Sequence, residues 1–117
     1  MLFRSLARDE IIEALVLPKK VARSGDAYLR FTPRTEMDIA VVGAGVNLTL
    51  ERGVIKAARV ALGAVAPTAI LVPAAARAII GTRLDDAVLE KLSAVCSAAC
   101  RPIDDKRGTI EIGRAHV

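Results

Sequence analysis

In the segment Met37 to Leu50 the even positions from 40 onward, Ala40, Val42, Ala44, Val46, Leu48 and Leu50, are all apolar. The odd positions Ile39, Val41, Gly43, Gly45, Asn47 and Thr49 become polar toward the end. Side chains of a strand alternate between two faces, so this pattern predicts a long strand with one face buried. Glu51-Arg52-Gly53 follows, and glycine tolerates the positive φ that a tight hairpin turn needs. Val54 to Val65 returns as a β-rich run. The segment 37–65 therefore predicts a long antiparallel hairpin, and any fold for this chain must be built around it.

The flanks supply the rest. Ile11 to Leu17 is an apolar run closed by Pro18 and predicts a short strand. Lys19 to Asp26 is a polar loop, and Ala27 to Thr32 predicts a second short strand. Past Pro67 the character changes. Pro73 suits a first helical turn, Ala74 to Ile80 is helix-forming, and Gly81 suits the residue after a helix end. Thr82 with Asp85 three residues on reads as a capping box for a second helix over Thr82 to Cys100. Leu84, Val88, Leu89, Leu92, Val95, Cys96 and Ala99 recur along it at helical spacing. Strands first and helices afterwards predict an α+β fold.

With 117 residues there is room for one small domain. Alanines number 21 and aromatics are only 3%, so the apolar content is mostly small side chains. The net charge of +4 raises the question of nucleic acid. The basic residues are scattered and almost no aromatic ring is available for stacking, so a solvated mixed surface is expected instead. The longest uncharged run, Val60 to Ala76, is broken by Gly63, Pro67 and Pro73 and is shorter than the ~20 residues of a spanning helix. No secretory signal is recognisable, so the cytoplasm is the expected compartment.

Three tempting features carry little chemistry. Gly43-Ala44-Gly45 resembles the start of a dinucleotide fingerprint, but position 48 is leucine and the pattern stays β-like beyond it. Gly43 and Gly45 instead mark a strand face that a neighbouring element or ligand approaches closely. Cys96 and Cys100 lack the further ligands that zinc requires and are expected to be buried apolar residues, so no metal site is assigned. Asp85-Asp86 and Asp104-Asp105 are expected to be helix-terminal charges. No catalytic constellation is present.

Five segments in order carry a resemblance. They are Asp9-Glu10-Ile11-Ile12 with Leu15-Val16-Leu17-Pro18; Tyr28-Leu29-Arg30-Phe31 with Arg34; Met37-Asp38-Ile39-Ala40-Val41-Val42; Ala61 to Thr68; and Pro102 to Thr109. Together they resemble the C-terminal domain of the FAD-carrying medium subunit of molybdenum hydroxylases, the carbon monoxide dehydrogenase and xanthine dehydrogenase family. The resemblance implies a small antiparallel sheet, made of the hairpin 37–65 and shorter N-terminal strands, packed on a C-terminal helix bundle. It implies an oxidoreductase subunit that helps to position FAD between iron–sulfur clusters and an electron acceptor, and that is not catalytic alone. Its partners would be a molybdopterin-containing large subunit and a 2Fe-2S small subunit.

By the same resemblance Tyr28 would face the isoalloxazine, Arg30 would reach the flavin's polar edge, and Ile12 would lie where the entering strand passes the cofactor. The family usually has lysine at the position of Arg30; arginine keeps the charge with a planar fork. From the residues alone Tyr28 and Arg30 share one strand face, and packing on the domain's own sheet is equally open. The implied division is 1–26 as N-terminal strand and linker from a missing FAD domain, 27–111 as the domain proper, and 112–117 as a non-native tail. Ile112 to Val117 replaces the expected final helix and matches an in-frame translation of a sequencing-library adapter. A free-standing interaction module without cofactor is the alternative reading.

Overall fold

The computed structural model describes residues 7–32, 39–104 and 109–111. Residues 37–38 of the expected long strand, residues 33–38 and 105–108 of the family-like segments, and the tail 112–117 lie outside them. Four strands, β1 (Ser24–Phe31), β2 (Val42–Glu51), β3 (Val54–Gly63) and β4 (Ile70–Leu71), are followed by helices α1 (Pro73–Ile79) and α2 (Asp86–Ala99). The sheet is antiparallel with the strands in chain order. This is the α+β architecture expected from the order of sequence patterns.

The hairpin forms over Val42–Gly63, shorter at both ends than its pattern predicts, because Ile39–Val41 and Ala64–Val65 lie outside the strands. Glu51 pairs with Val54, leaving Arg52 and Gly53 as a two-residue loop, with φ of 52° and 79°. Two successive positive φ values define the turn whose twist matches flanking strands. The register then shifts between Thr49 and Leu50, which pair with Ala57 and Ile55, so Lys56 is an extra residue without a partner opposite. This bulge reverses the alternation beyond it and turns Ile55 inward, where it is 2% exposed. The amide of Gly81 donates to the Ile55 carbonyl at 2.8 Å and the Ile55 amide to the Thr82 carbonyl at 3.0 Å, fixing the end of α1 to the start of β3.

One side of the sheet carries the core. Val42, Val60 and Leu62 pack with Val65, Val72, Ala75, Ile79, Cys96 and Cys100, and Ala44, Val46, Leu48 and Ala58 lie against them. The expected buried parity of β2 is thus the helix-facing side, and Leu48 sits in mid-strand with no helix N-terminus after Gly45. Cys96 and Cys100 are buried and form no disulfide, and the Cys100 thiol donates to the Cys96 carbonyl at 3.3 Å.

Two expectations are corrected and one element is added. Residues 11–17 form no strand: they find no pairing partner among the described residues, and Leu15, Val16 and Leu17 are 84%, 92% and 86% exposed. High β-propensity does not make a strand without a ladder. The N-cap of α2 is Asp85, not Thr82. Asp85 Oδ1 accepts the Val88 amide at 3.0 Å, while the Thr82 hydroxyl donates backward to Ile79 O at 2.7 Å. Leu84 takes φ 58° between them and breaks the helical run. Finally, β4 closes the edge beyond β3, in a stretch too short to show periodicity.

Candidate functional site

The open side of the sheet is the candidate site. In β1 the register sets Tyr28 opposite Gly45 and Arg30 opposite Gly43. Beyond them Gly43 pairs with Gly63, Gly45 with Ala61, and Asn47 with Arg59. Directly paired residues share a face, so Asp26, Tyr28, Arg30, Gly43, Gly45, Asn47, Arg59, Ala61 and Gly63 lie together, away from the helices. Leu29 and Phe31 take the opposite side.

Both glycines named from the sequence therefore belong to the same face as Tyr28 and Arg30. What approaches Gly43 is the tyrosine itself. A methyl group at Gly43 would stand 2.5 Å from the Tyr28 hydroxyl oxygen, and one at Gly45 would stand 3.7 Å from Tyr28 Cδ2. The ring lies across two residues without side chains, and this contact makes Gly43 a buried position. An aromatic ring over a neighbouring-strand glycine covers the bare backbone. Tyr28 nevertheless stays 64% exposed, so its outer side is open to a second planar group. Arg30 is exposed beside it.

Ile12 is not brought to this face by any described contact. It lies in the extended segment before β1 and is 66% exposed. The turn that starts β1 is held by the Ser24 hydroxyl, which donates to Val21 O at 2.6 Å. Arg59, Asn47 and Asp26 are on the face and were not picked out from the sequence. Their parity on β1–β3 would reveal them, but only once the register of the three strands is known.

Behind the sheet a cavity of about 370 Å³ opens between β1–β3 and α2. Leu29, Phe31, Val42, Leu89, Leu92 and Cys96 are among its lining residues. The Cys96 thiol is pushed above its ordinary value, chiefly by burial and further by Cys100 nearby. A neutral thiol is a poor nucleophile and a poor metal ligand. Among the described residues no group of three His, Cys, Asp or Glu side chains could hold a metal ion.

The open face fits one part of FAD and not another. An exposed ring braced on glycine backbone, next to a guanidinium, suits the planar and polar edge of a flavin. Nothing on it suits a pyrophosphate: β2 runs straight through Gly43 and Gly45, and the N-terminus of α2 carries Asp85 and Asp86, which repel phosphate. No described helix is long and apolar enough to cross a membrane.

Comparison with known proteins agrees with this architecture. Residues 27–114 match the family model of the CO dehydrogenase flavoprotein C-terminal domain. The chain is 31% identical over 109 residues to the carbon monoxide dehydrogenase medium chain of Afipia carboxidovorans, covering 93% of this chain and 38% of that relative. A solved carbon monoxide dehydrogenase from Hydrogenophaga pseudoflava superposes with a TM-score of 0.78 at 30% identity, over 85% of this chain and 34% of that one. Quinoline 2-oxidoreductase from Pseudomonas putida 86 shares the fold, with a TM-score of 0.72 at 24% identity over 77% of this chain and 31% of that one. The chain thus spans about a third of the length of the relatives it matches. Sheet order, helix placement and sequence agree that it belongs to the CO dehydrogenase flavoprotein C-terminal domain family.

Proposed function

We propose that this domain closes over the exposed side of FAD in the medium subunit of a molybdenum-dependent hydroxylase. In this reading residues 27–111 are the core of the closing domain, and the stretch before them connects it to a cofactor-holding domain. The observation that carries this reading is the pairing of Tyr28 and Arg30 on one open face over Gly43 and Gly45. FAD, when bound, supplies the redox centre between 2Fe-2S clusters and the electron acceptor.

The chain's own residues would position and tune. Tyr28, braced from below, covers the ring and keeps water off it. Arg30 sets a fixed positive charge at the polar edge, which favours electron-rich states there. Ile12 contributes an apolar contact where the preceding segment passes. The exposed apolar run Ile11 to Leu17 gains its ladder partner in the cofactor-holding domain. A molybdopterin-containing large subunit and a 2Fe-2S small subunit complete the enzyme, consistent with the relative being one chain of a carbon monoxide dehydrogenase.

The test is addition in trans. Alone, the chain leaves the fluorescence of free FAD unchanged, because its described residues form no phosphate cradle. Added to the separately prepared FAD domain of the Afipia relative, it slows flavin release. Unchanged release at saturating chain would contradict the proposal, as would stoichiometric FAD binding by the chain alone.

A further inference from the structure

Among the described residues β1 pairs only with β2, so one edge of the strand faces outward. The Leu50 amide donates to the Arg23 carbonyl at 3.0 Å, which makes 23 and 50 a hydrogen-bonded pair. Hydrogen-bonded and non-bonded pairs alternate along an antiparallel ladder. Residues 25, 27 and 29 therefore spend their backbone groups on β2. Asp26, Tyr28 and Arg30 turn theirs outward, and their side chains share the open face.

An outward edge of this kind is a template for another strand unless charge or proline blocks it. Residues 24–31 contain no proline. Their two charges, Asp26 and Arg30, are placed symmetrically about Tyr28. If a second copy of β1 pairs antiparallel with the first, the outward-turned residues must meet one another in hydrogen-bonded pairs, which allows two-fold registers centred on any residue from Asp26 to Arg30. Centring the pair on Asp26 sets carboxylate against carboxylate, and centring it on Arg30 sets guanidinium against guanidinium. Centring it on Tyr28 sets each Asp26 opposite the partner's Arg30, twice over, by symmetry. The same register sets Leu29, 77% exposed, opposite the partner's Ala27 and diagonal to the partner's Leu29 on the apolar side.

We propose that β1 is a self-complementary edge through which two copies of this chain pair antiparallel about Tyr28, joining their sheets in a two-fold dimer. Of these registers the one about Tyr28 alone sets opposite charges face to face; those centred on Ala27 and Leu29 leave Asp26 and Arg30 opposite uncharged residues. The contact is isologous, so it closes at two copies and does not propagate. It makes no use of a cofactor and stands apart from the flavin reading. Flavin release measured in trans bears on that reading alone, whereas self-association of the free chain bears on this one.

The experiment is sedimentation velocity on the full 117-residue chain and two variants, Asp26→Arg and Arg30→Asp, with circular dichroism to confirm folding. The wild type is expected to form dimers as its concentration rises through the micromolar range. Each variant alone sets like charges opposite at both positions and weakens the dimer about tenfold or more. An equimolar mixture restores it, because one chain then offers only cations and the other only carboxylates. A wild type that stays monomeric overturns the proposal. Variants that associate as well as the wild type move the contact elsewhere, for instance to Ile11–Leu17, and also overturn it. So does a mixture no more dimeric than its folded components. If a single variant fails to fold, the double swap Asp26→Arg/Arg30→Asp keeps the pairing and must dimerise like the wild type; failure of a folded double swap overturns the proposal.

Discussion

The hydroxyl of Tyr28 lies over the α-carbon of Gly43 on the adjacent strand, so close that a Cβ there would meet it at 2.5 Å. The ring is thereby held down on the sheet while its outer side stays open. A structural contact and an exposed aromatic platform are two sides of the same residue.

Gly43→Ala should lift this ring. The atom in the way is the far end of a side chain on an edge strand, so the ring swings outward and the fold survives, losing about 1 kcal/mol or less. Tyr28 is the only tyrosine and there is no tryptophan, so intrinsic fluorescence reports on it directly. Quenching by acrylamide should rise in Gly43→Ala and stay near the wild-type value in Gly45→Ala, where the contact is an ordinary 3.7 Å. Equal quenching in all three proteins would mean the ring is not held on Gly43.

Asp85→Ala should destabilise the domain through the helix that backs the core. It removes the acceptor for the Val88 amide at 3.0 Å and leaves an orphan donor in the first turn of α2. The expected cost is roughly 0.5–2 kcal/mol, read as a lower melting temperature. Thr82→Ala should cost less at the α2 start, since its hydroxyl donates to Ile79 O and not to the first turn. A larger loss from Thr82→Ala would return the cap to Thr82.

Cys96 gives the domain an alkaline weakness. Below the ordinary thiol value of 9.0 both folded and unfolded chains keep the proton, and stability does not change through this group. Above it the unfolded chain ionises first, while burial and Cys100 hold the folded thiol neutral. The unfolded state then binds fewer protons, so stability falls as pH rises. Cys96→Ala should lower stability by about 1 kcal/mol at neutral pH and flatten this decline. Thermal melts of both proteins across the alkaline range check it; parallel curves would show that Cys96 contributes no slope.

Much of this arrangement is legible in the chain, for identifiable reasons. The hairpin is written in twelve residues of alternation and an Arg-Gly turn, and the structure follows it from Val42. The inward turn of Ile55 is not legible, because it depends on a bulge that adds Lys56 and reverses the parity. Ile11 to Leu17 has strand-like composition but no partner, and pairing is a property of two segments. Tyr28 and Arg30 sharing a face follows from spacing alone. That the face also holds Gly43, Gly45 and Arg59 does not, since register is set across the connection between β1 and β2 and is absent from local patterns. β4 spans only two residues and leaves no trace in periodicity.

A graft decides whether Tyr28 and Arg30 close over a flavin. Residues 27–111 are grafted into the Afipia relative in place of its matching segment. FAD content and flavin midpoint potential are then measured for the graft and for its Arg30→Ala variant, beside their melting temperatures. The graft should retain FAD, and Arg30→Ala should release flavin more readily or lower its potential while melting within a few degrees of the parent. Full flavin content at an unchanged potential, with a sharply lowered melting temperature, would contradict it and leave Arg30 as part of the sheet's own structure.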